Sequence, residues 1–496
     1  MSHRVLDINF NKLKMTNKIL PTAALLLAAP LVFAAQPKEK RPNIVFILAD
    51  DLGYGDLGCF GQEKFETPNI DQLALNGMRF LQCYSGTTVS APSRSCLLTG
   101  THSGHTAIRG NRELEPEGQF PLPADSRSIF RVMKDAGYKT SAFGKWGLGY
   151  IGTSGDPAKQ GCETFFGYNC QMLAHNYYPD HLWNNDQRIE LKDNLPEFQY
   201  GKGTYSADLI HQKALEYLDK MTPEQPFFMW YPTTIPHAEL IVPEDSIIEK
   251  FRGRFPETPF RGTEQGMNLY RKGGYCSQFY PHATFAAMIY RLDVYVGQIV
   301  QKLKDKGLYD NTIIIFASDN GPHKEGGADP DFFNSNGIYR GYKRDVYEGG
   351  IRVPMIIAWP GHVQAGTETN FMCSFWDVLP TFEDVINVSK PKSEDGVSLL
   401  PLLENKKGQK EHEFLYFEFQ EMGGRQAVRE GNWKLVHMSI RENPYFELYN
   451  LASDPSEQHN LITQFPEKAD ELKAIMKREH RPDPNWPLFP EEGEVK

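Results

Sequence analysis

The sequence predicts an α/β protein with a mostly parallel central sheet, followed by a small antiparallel sheet towards the C-terminus. Three observations carry this. Asn43–Ala49 and Thr312–Ser318 are unbroken apolar runs of strand length, as expected of central parallel strands covered on both faces. Between them, amphipathic stretches of helical length alternate with further apolar runs, the pattern of strand–helix–strand units. After residue 413 the pattern changes to short strands with turn signals, at 414–419, 425–429, 433–437 and 445–449, then a terminal helix near 466–478.

Length and composition agree. A chain of 496 residues exceeds the usual size of one simple core. We expect a large domain over 41–403, a charged linker over 404–413 and a small α+β subdomain over 414–496. The net charge of −10 offers no basic footprint for nucleic acid. It leaves an anionic small-molecule substrate open, because a local cluster of Lys and Arg acts inside an acidic protein too. Residues 1–34 read as an upstream extension and a signal peptide, with Lys18 as positive flank, 19–33 as apolar region and Val32-Phe33-Ala34 before the cleavage point. That region is short and Pro-interrupted for a spanning helix, so export to the periplasm or beyond is expected, without stable membrane insertion. The seven cysteines are an odd number with no Cys-x-x-Cys pair, which indicates neither a zinc cluster nor a full disulfide framework. Cys162 and Cys170 are spaced to bridge across a loop; most of the thiols are expected to be buried.

In chain order, the first strand ends in Asp50-Asp51. A helix starts over 67–71 and ends at Gly77, and 80–85 reads as a short strand. Ser90 then lies just ahead of a helix with Pro92 in its first turn and Gly100 as left-handed end. Free N–H groups and the helix dipole favour an anion there, and Arg94, one turn on, can reach back over the same spot. Next come a helix over 126–136 and a strand over 138–143 leading into Gly144-Lys145-Trp146-Gly147-Leu148-Gly149. Residues 166–183 have no clear period and read as a long loop, rich in aromatics and including His175 and His181; such side chains suit a sugar. A helix over 205–220 and a strand over 227–231 lead to Pro236-His237. Residues 243–277 read as an inserted loop, and a long helix over 284–306 feeds the second buried strand. That strand ends in Asp319-Asn320, with His323 close behind. Arg340-Gly341-Tyr342-Lys343 follows, then Glu348 and Arg352, read as a structural ion pair, and a strand over 355–359.

In doubly wound sheets, sites form outside the carboxyl ends of strands, so the two acidic tips are placed to converge. Asp50, Asp51, Asp319, Asn320 and an oxygen carried by Ser90 form an all-oxygen set. Such a set suits a hard cation, Ca²⁺ above all, with about six to eight ligands at about 2.3–2.6 Å. It lacks the His and Cys ligands of zinc.

Read together, hydroxyl-x-Pro-Ser-Arg before Leu-Thr-Gly at 90–100 resembles the signature of type I sulfatases. Ala49-Asp50-Asp51 and Ser318-Asp319-Asn320-Gly321 resemble that family's calcium motifs, and Gly144–Gly149, Pro236-His237 and the block from Gly341 to Pro354 resemble three others. The resemblance covers nearly the whole chain after the signal peptide and implies an alkaline-phosphatase-like fold. It implies that Ser90 is converted to formylglycine by a radical-type maturing enzyme, that one Ca²⁺ is bound, and that a sulfate ester is hydrolysed. Lys145 and Lys343 would grip sulfate, Arg94 would stabilise the formylglycine hydrate, and His237 would protonate the leaving oxygen. His175, His181 and His323 are candidate substrate contacts, and the loops resemble those of enzymes acting on galactose or N-acetylgalactosamine 4- or 6-sulfates. One position departs from the pattern: Gly147 stands where most members carry a His that contacts the formylglycine. Two rivals are weighed: a phosphomonoesterase or phosphodiesterase using unmodified Ser90, and a glycan-binding protein that has lost catalysis.

Overall fold

The computed structural model describes residues 40–493 except 116, 195–201, 265–266, 268–269, 271 and 389–394; the expected signal peptide lies outside these. Strand β1 (Asn43–Ala49) is buried at every position. Its side chains alternate between two cores, Val45, Ile47 and Ala49 on one face and Ile44, Phe46 and Leu48 on the other. An unbroken apolar run is therefore what this place in the sheet requires. Chain order then gives β2 (Met78–Tyr84), a two-strand ribbon of β3 (Glu113–Leu114) and β4 (Gly118–Gln119), β5 (Lys139–Lys145), β6 (Thr164–Tyr168), β7 (His181–Asn184), β8 (Gln187–Glu190), β9 (Phe227–Pro232), β10 (Thr312–Ser318), β11 (Arg352–Ala358), β12 (Thr367–Thr369) and β13 (Cys373–Ser374).

The central sheet has the order β12–β2–β11–β10–β1–β9–β5–β6–β7–β8, with β13 added to β2. Strands β10, β1, β9, β5 and β6 are mutually parallel, while β11 runs against both its neighbours. One face is covered by the helices α4 (Ser206–Asp219) and Pro281–Asp305, the other by α2 (Ser90–Thr99), α3 (Ile129–Asp135) and Val378–Ile386. The register places Ala49 beside Ser318, so the acidic tips that follow emerge side by side.

The four short strands after residue 413 are β14 (Leu415–Phe419), β15 (Arg425–Glu430), β16 (Trp433–Met438) and β17 (Tyr445–Asn450), an antiparallel sheet in sequential order. One of its faces, with Tyr416, Val428 and Leu435, packs on Leu472 and Met476 of the helix Pro466–Glu479. The other, with Leu415, Phe417 and Phe419, packs on Tyr84 and Trp376 of the larger part. A buried ion cluster reinforces that seam. Glu348 accepts from Tyr84 Oη at 2.6 Å, Lys434 Nζ at 2.9 Å and Arg352 at 3.2 Å. The expected Glu348–Arg352 pair is thus present, and it reaches across to the second sheet.

Two expected elements differ. The helix expected over 126–136 begins at Ile129, because Ser128 Oγ accepts the Arg131 N–H and holds the chain before it extended. The stretch expected to be one loop over 166–183 ends in β7, which pairs with β6 and β8 at the sheet edge. Phe165, Phe166 and Tyr168 of β6 and Leu182 and Trp183 of β7 are all buried, so no alternating polar face marks these strands in the sequence. All seven cysteines are free thiols, Cys162 and Cys170 included.

Candidate active site

Ser90 is the first residue of α2, one position further in than expected, with Val89 as the extended N-cap. Gly100 closes the helix in the left-handed region, at φ 68°. Buried Ser90 donates through Oγ to Asp50 Oδ1 at 3.0 Å. Lys145 Nζ, arriving from the end of β5, donates to Asp50 Oδ2 at 2.7 Å and lies 3.5 Å from Ser90 Oγ. Arg94 reaches back from the second turn of α2. Its Nε and one terminal nitrogen donate to Asp319 Oδ2 at 3.1 and 2.8 Å, and the other terminal nitrogen donates to the Lys145 carbonyl.

Asp51 adopts φ 61°, a left-handed conformation that costs a non-glycine residue about 1–3 kcal/mol. Its N–H is held by Asp319 Oδ1 at 3.0 Å, which fixes both acidic tips in one geometry. Asn320 donates to Asp51 Oδ1 at 2.7 Å, while Asn320 Oδ1 is buried without a hydrogen-bond partner among the described residues. Lys343 Nζ donates to Asp51 Oδ2 at 2.8 Å and to His237 Nε2 at 2.9 Å. The segments expected to supply Asp50, Asp51, Ser90, Arg94, Lys145, His237, Asp319, Asn320 and Lys343 do meet in one place.

Electrostatics there are tightly balanced. Burial pushes the Asp50 carboxyl up, but the charges of Lys145, Arg94 and Lys343 outweigh it and hold the group well below the usual carboxylate range. Asp319 goes the other way: burial and the nearby Asp50 charge raise it to about 6 despite Arg94. Burial lowers Lys145, against the pull of Asp50. Burial and then Lys343 lower His237 well below the imidazole norm, so it is neutral, Nδ1–H donating to the Ala238 carbonyl at 2.5 Å. Asp50, Asp51 and Asp319 face Arg94, Lys145 and Lys343, which leaves this core of the site near neutrality. The three carboxylates lie close enough to share one ion. Together with the orphaned Asn320 Oδ1, the donor set is all oxygen, which fits a hard divalent cation.

The three further histidines divide. His175 and His323 sandwich His237, with ring centroids 4.7 and 5.4 Å away and planes nearly parallel. His323 donates from Nε2 to the Pro236 carbonyl and accepts the Glu325 N–H at Nδ1, and so is held in the stack. Glu325, not singled out beforehand, pairs with both Lys343 and Arg344. His181 lies elsewhere. It lines a neighbouring cavity of about 300 Å³ with Glu113, Glu117, Met172, Asp180 and Lys272. Neither Ser90 nor the three carboxylates line that cavity, which takes Leu173 and Asn176 from either side of His175.

The sulfatase family profile matches residues 42–388. The chain belongs to the sulfatase family. A second profile, for the C-terminal part of N-sulphoglucosamine sulphohydrolase, matches residues 337–481. This sulfatase is 30% identical to human arylsulfatase A over 491 residues, spanning 89% of this chain and 87% of the relative. It is 28% identical to the N-acetylgalactosamine-6-O-sulfatase of Bacteroides thetaiotaomicron over 519 residues, spanning 88% and 93%. Among solved structures, Ps i-CgsB in complex with a neocarrahexaose superposes with a TM-score of 0.74 at 26% identity, covering 91% of this chain and 96% of that one. The protein is a sulfuric ester hydrolase with the mixed, mostly parallel sheet and small antiparallel sheet expected of it. No described helix is long and apolar enough to cross a membrane.

Proposed function

We propose that this sulfatase is an exported enzyme that removes sulfate from carbohydrates, with galactose or N-acetylgalactosamine 4- or 6-sulfate as the preferred class. The observation that carries this reading is the contact of Ser90 Oγ with both Asp50 and Lys145 at the mouth of the balanced acid–base cluster. A neutral cluster holds an anion weakly; Asp50, Asp51, Asp319 and Asn320 holding Ca²⁺ would make it cationic. Held there, the ion would supply charge for an anionic ester and would lower the pKa of an attacking hydroxyl. Ser90 as formylglycine provides that hydroxyl; Asp50, which accepts from Ser90 Oγ, is held well below the usual carboxylate range and is a poor base for a plain serine. Lys145 and Lys343 bind and orient the sulfate oxygens, while Arg94 stabilises the formylglycine hydrate and positions the Asp319 carboxylate. His237, held by the Ala238 carbonyl and the flanking rings, carries the proton for the leaving sugar oxygen; a bound anion offsets Lys343 and favours its protonated form. The cavity beside His175, with polar and aromatic lining, is the right size for a sugar ring. Carbohydrate-directed names among the relatives support the substrate class. A catalytic domain over 41–403, a C-terminal subdomain over 414–496 and a radical-type maturing enzyme acting on Ser90 belong to the same reading.

The test is mass spectrometry of the Ser90 peptide together with turnover of matched sugar sulfates and phosphates. The aldehyde is lighter than serine by about two mass units. A matured Ser90, loss of turnover in Ser90→Ala and preference for the sulfate are expected. Unaltered Ser90 in a fully active enzyme, or preference for the phosphate, would defeat the reading.

A further inference from the structure

Beyond their paired ends, β5 and β6 continue side by side, Trp146 N–H donating to the Tyr168 carbonyl at 2.8 Å and Gly147 N–H to the Asn169 carbonyl at 3.0 Å. Gln171 follows on the second of these segments. Its own N–H is anchored on Gln119 Oε1 at 3.1 Å, and Gln119 is in turn tied to the Arg112 carbonyl at 2.8 Å. From that anchor the Gln171 side chain folds back over Gly147: a Cβ placed on this glycine would overlap Gln171 Nε2. Gly147 is left-handed at φ 70°, so both its conformation and its missing side chain leave the amide its place.

Gln171 is 3% exposed, and its Nε2 has no hydrogen-bond partner among the described residues. The amide of Asn169, fully buried two residues earlier, has no partner at Nδ2 or Oδ1 among the described residues. Buried polar groups left without a hydrogen bond are costly, so two neighbouring cases mark a place where something else completes the bonding. The free group on Gln171 is a donor. It faces Gly147, two residues past Lys145, whose ammonium already lies at Ser90 and Asp50. The complement of a buried N–H is an acceptor oxygen, and the lysine on the same segment favours an anionic one.

We propose that Gln171 is a substrate-binding residue that donates Nε2–H to a non-bridging oxygen of the bound sulfate group, occupying the space that Gly147 vacates. The proposal rests on the sulfatase reading of the site. It assigns a residue to the one position where the motif around Lys145 departs from its pattern.

The experiment is titration of the purified protein with inorganic sulfate by calorimetry, in wild type, Gln171→Leu, Gln171→Asn and Gly147→Ala, alongside kcat/KM on a sulfated monosaccharide and thermal melting. Gln171→Leu is expected to weaken sulfate binding about tenfold or more and to lower kcat/KM by on the order of ten- to a hundredfold, the worth of a hydrogen bond to a charged group. Its melting temperature should not fall, since an unpaired donor has been removed. Gly147→Ala displaces the amide and should shift both readouts the same way, while Gln171→Asn should recover part of the loss. Sulfate affinity and turnover unchanged in Gln171→Leu would overturn the proposal, as would equal losses of melting temperature and activity with sulfate affinity intact. A wild type that binds sulfate but hydrolyses no sulfate ester would instead defeat the sulfatase reading, and the titration alone would then judge Gln171.

Discussion

Lys145 Nζ lies 2.7 Å from Asp50 Oδ2, both side chains about 1% exposed, although β9 separates their strands in the sheet. The lysine therefore spans the end of one strand to place its charge between Asp50 and Ser90. A neutral side chain of similar length keeps the packing and removes only that charge. We expect Lys145→Met to lower kcat by about 10²–10³-fold, the usual effect of deleting a charged donor that acts in the transition state. Steady-state kinetics on a sulfated sugar checks it; a rate within a fewfold of wild type would mean that the contact is merely structural.

The acidic tips make a second expectation. Asp319 is pushed up to about 6 by burial and by Asp50, the carboxylates being crowded beyond what Arg94 relieves. A divalent ion removes that crowding. Chelation with EGTA is expected to abolish turnover and lower the melting temperature, and Ca²⁺ to restore both more fully than Zn²⁺. At a hundredfold excess over its dissociation constant the ion stabilises by about 2.7 kcal/mol, easily seen in a melting curve. Melting curves and turnover that ignore EGTA would rule the site out as a required metal centre.

Why the site was readable in outline, and where it was not, follows from particular residues. Asp50, Asp51, Asp319 and Asn320 follow two unbroken apolar runs, and such runs admit few places in a sheet other than its parallel centre. Parallel pairing then brings their ends together without further information. Gln171 left no such trace. It belongs to a stretch without period, and its approach to Gly147 depends on how two loops fold back on each other. The place of His181 in its cavity left no trace either. Its partner Glu117 comes from the β3–β4 ribbon, a pairing that no local pattern announces.

The seam between the sheets should be sensitive at Glu348. Burial pushes this carboxyl up, but Lys434, Arg429 and Arg352 together hold it down at about 2. Glu348→Gln keeps the shape while leaving Lys434 and Arg352 short of a counter-charge. Breaking one side of a buried ion cluster costs about 3–5 kcal/mol, so a melting point lower by several degrees is expected. Because the folded pKa is depressed, the wild-type contribution is present above the ordinary carboxylate range and is lost as pH falls through about 2. Equal melting points for variant and wild type at neutral pH would show that the cluster adds no net stability.

His181 gives a pH-dependence of the opposite sign. Burial lowers its pKa, yet Asp180 and Glu117, each 2.7 Å away, more than offset this and raise it to about 8. A raised folded pKa means that the native state binds the proton more tightly than the unfolded chain does. The stabilisation is thus complete below about 6.5, the ordinary imidazole value, and fades as pH rises through about 8. His181→Gln should therefore melt below wild type at pH 6, and the gap should shrink between pH 7 and 9. Since His181 lines the cavity proposed for the sugar, KM should rise with pH over the same window while kcat, set around Ser90, holds. A melting gap that stays constant from pH 6 to 9 would mean that the imidazole does not titrate between its two carboxylates.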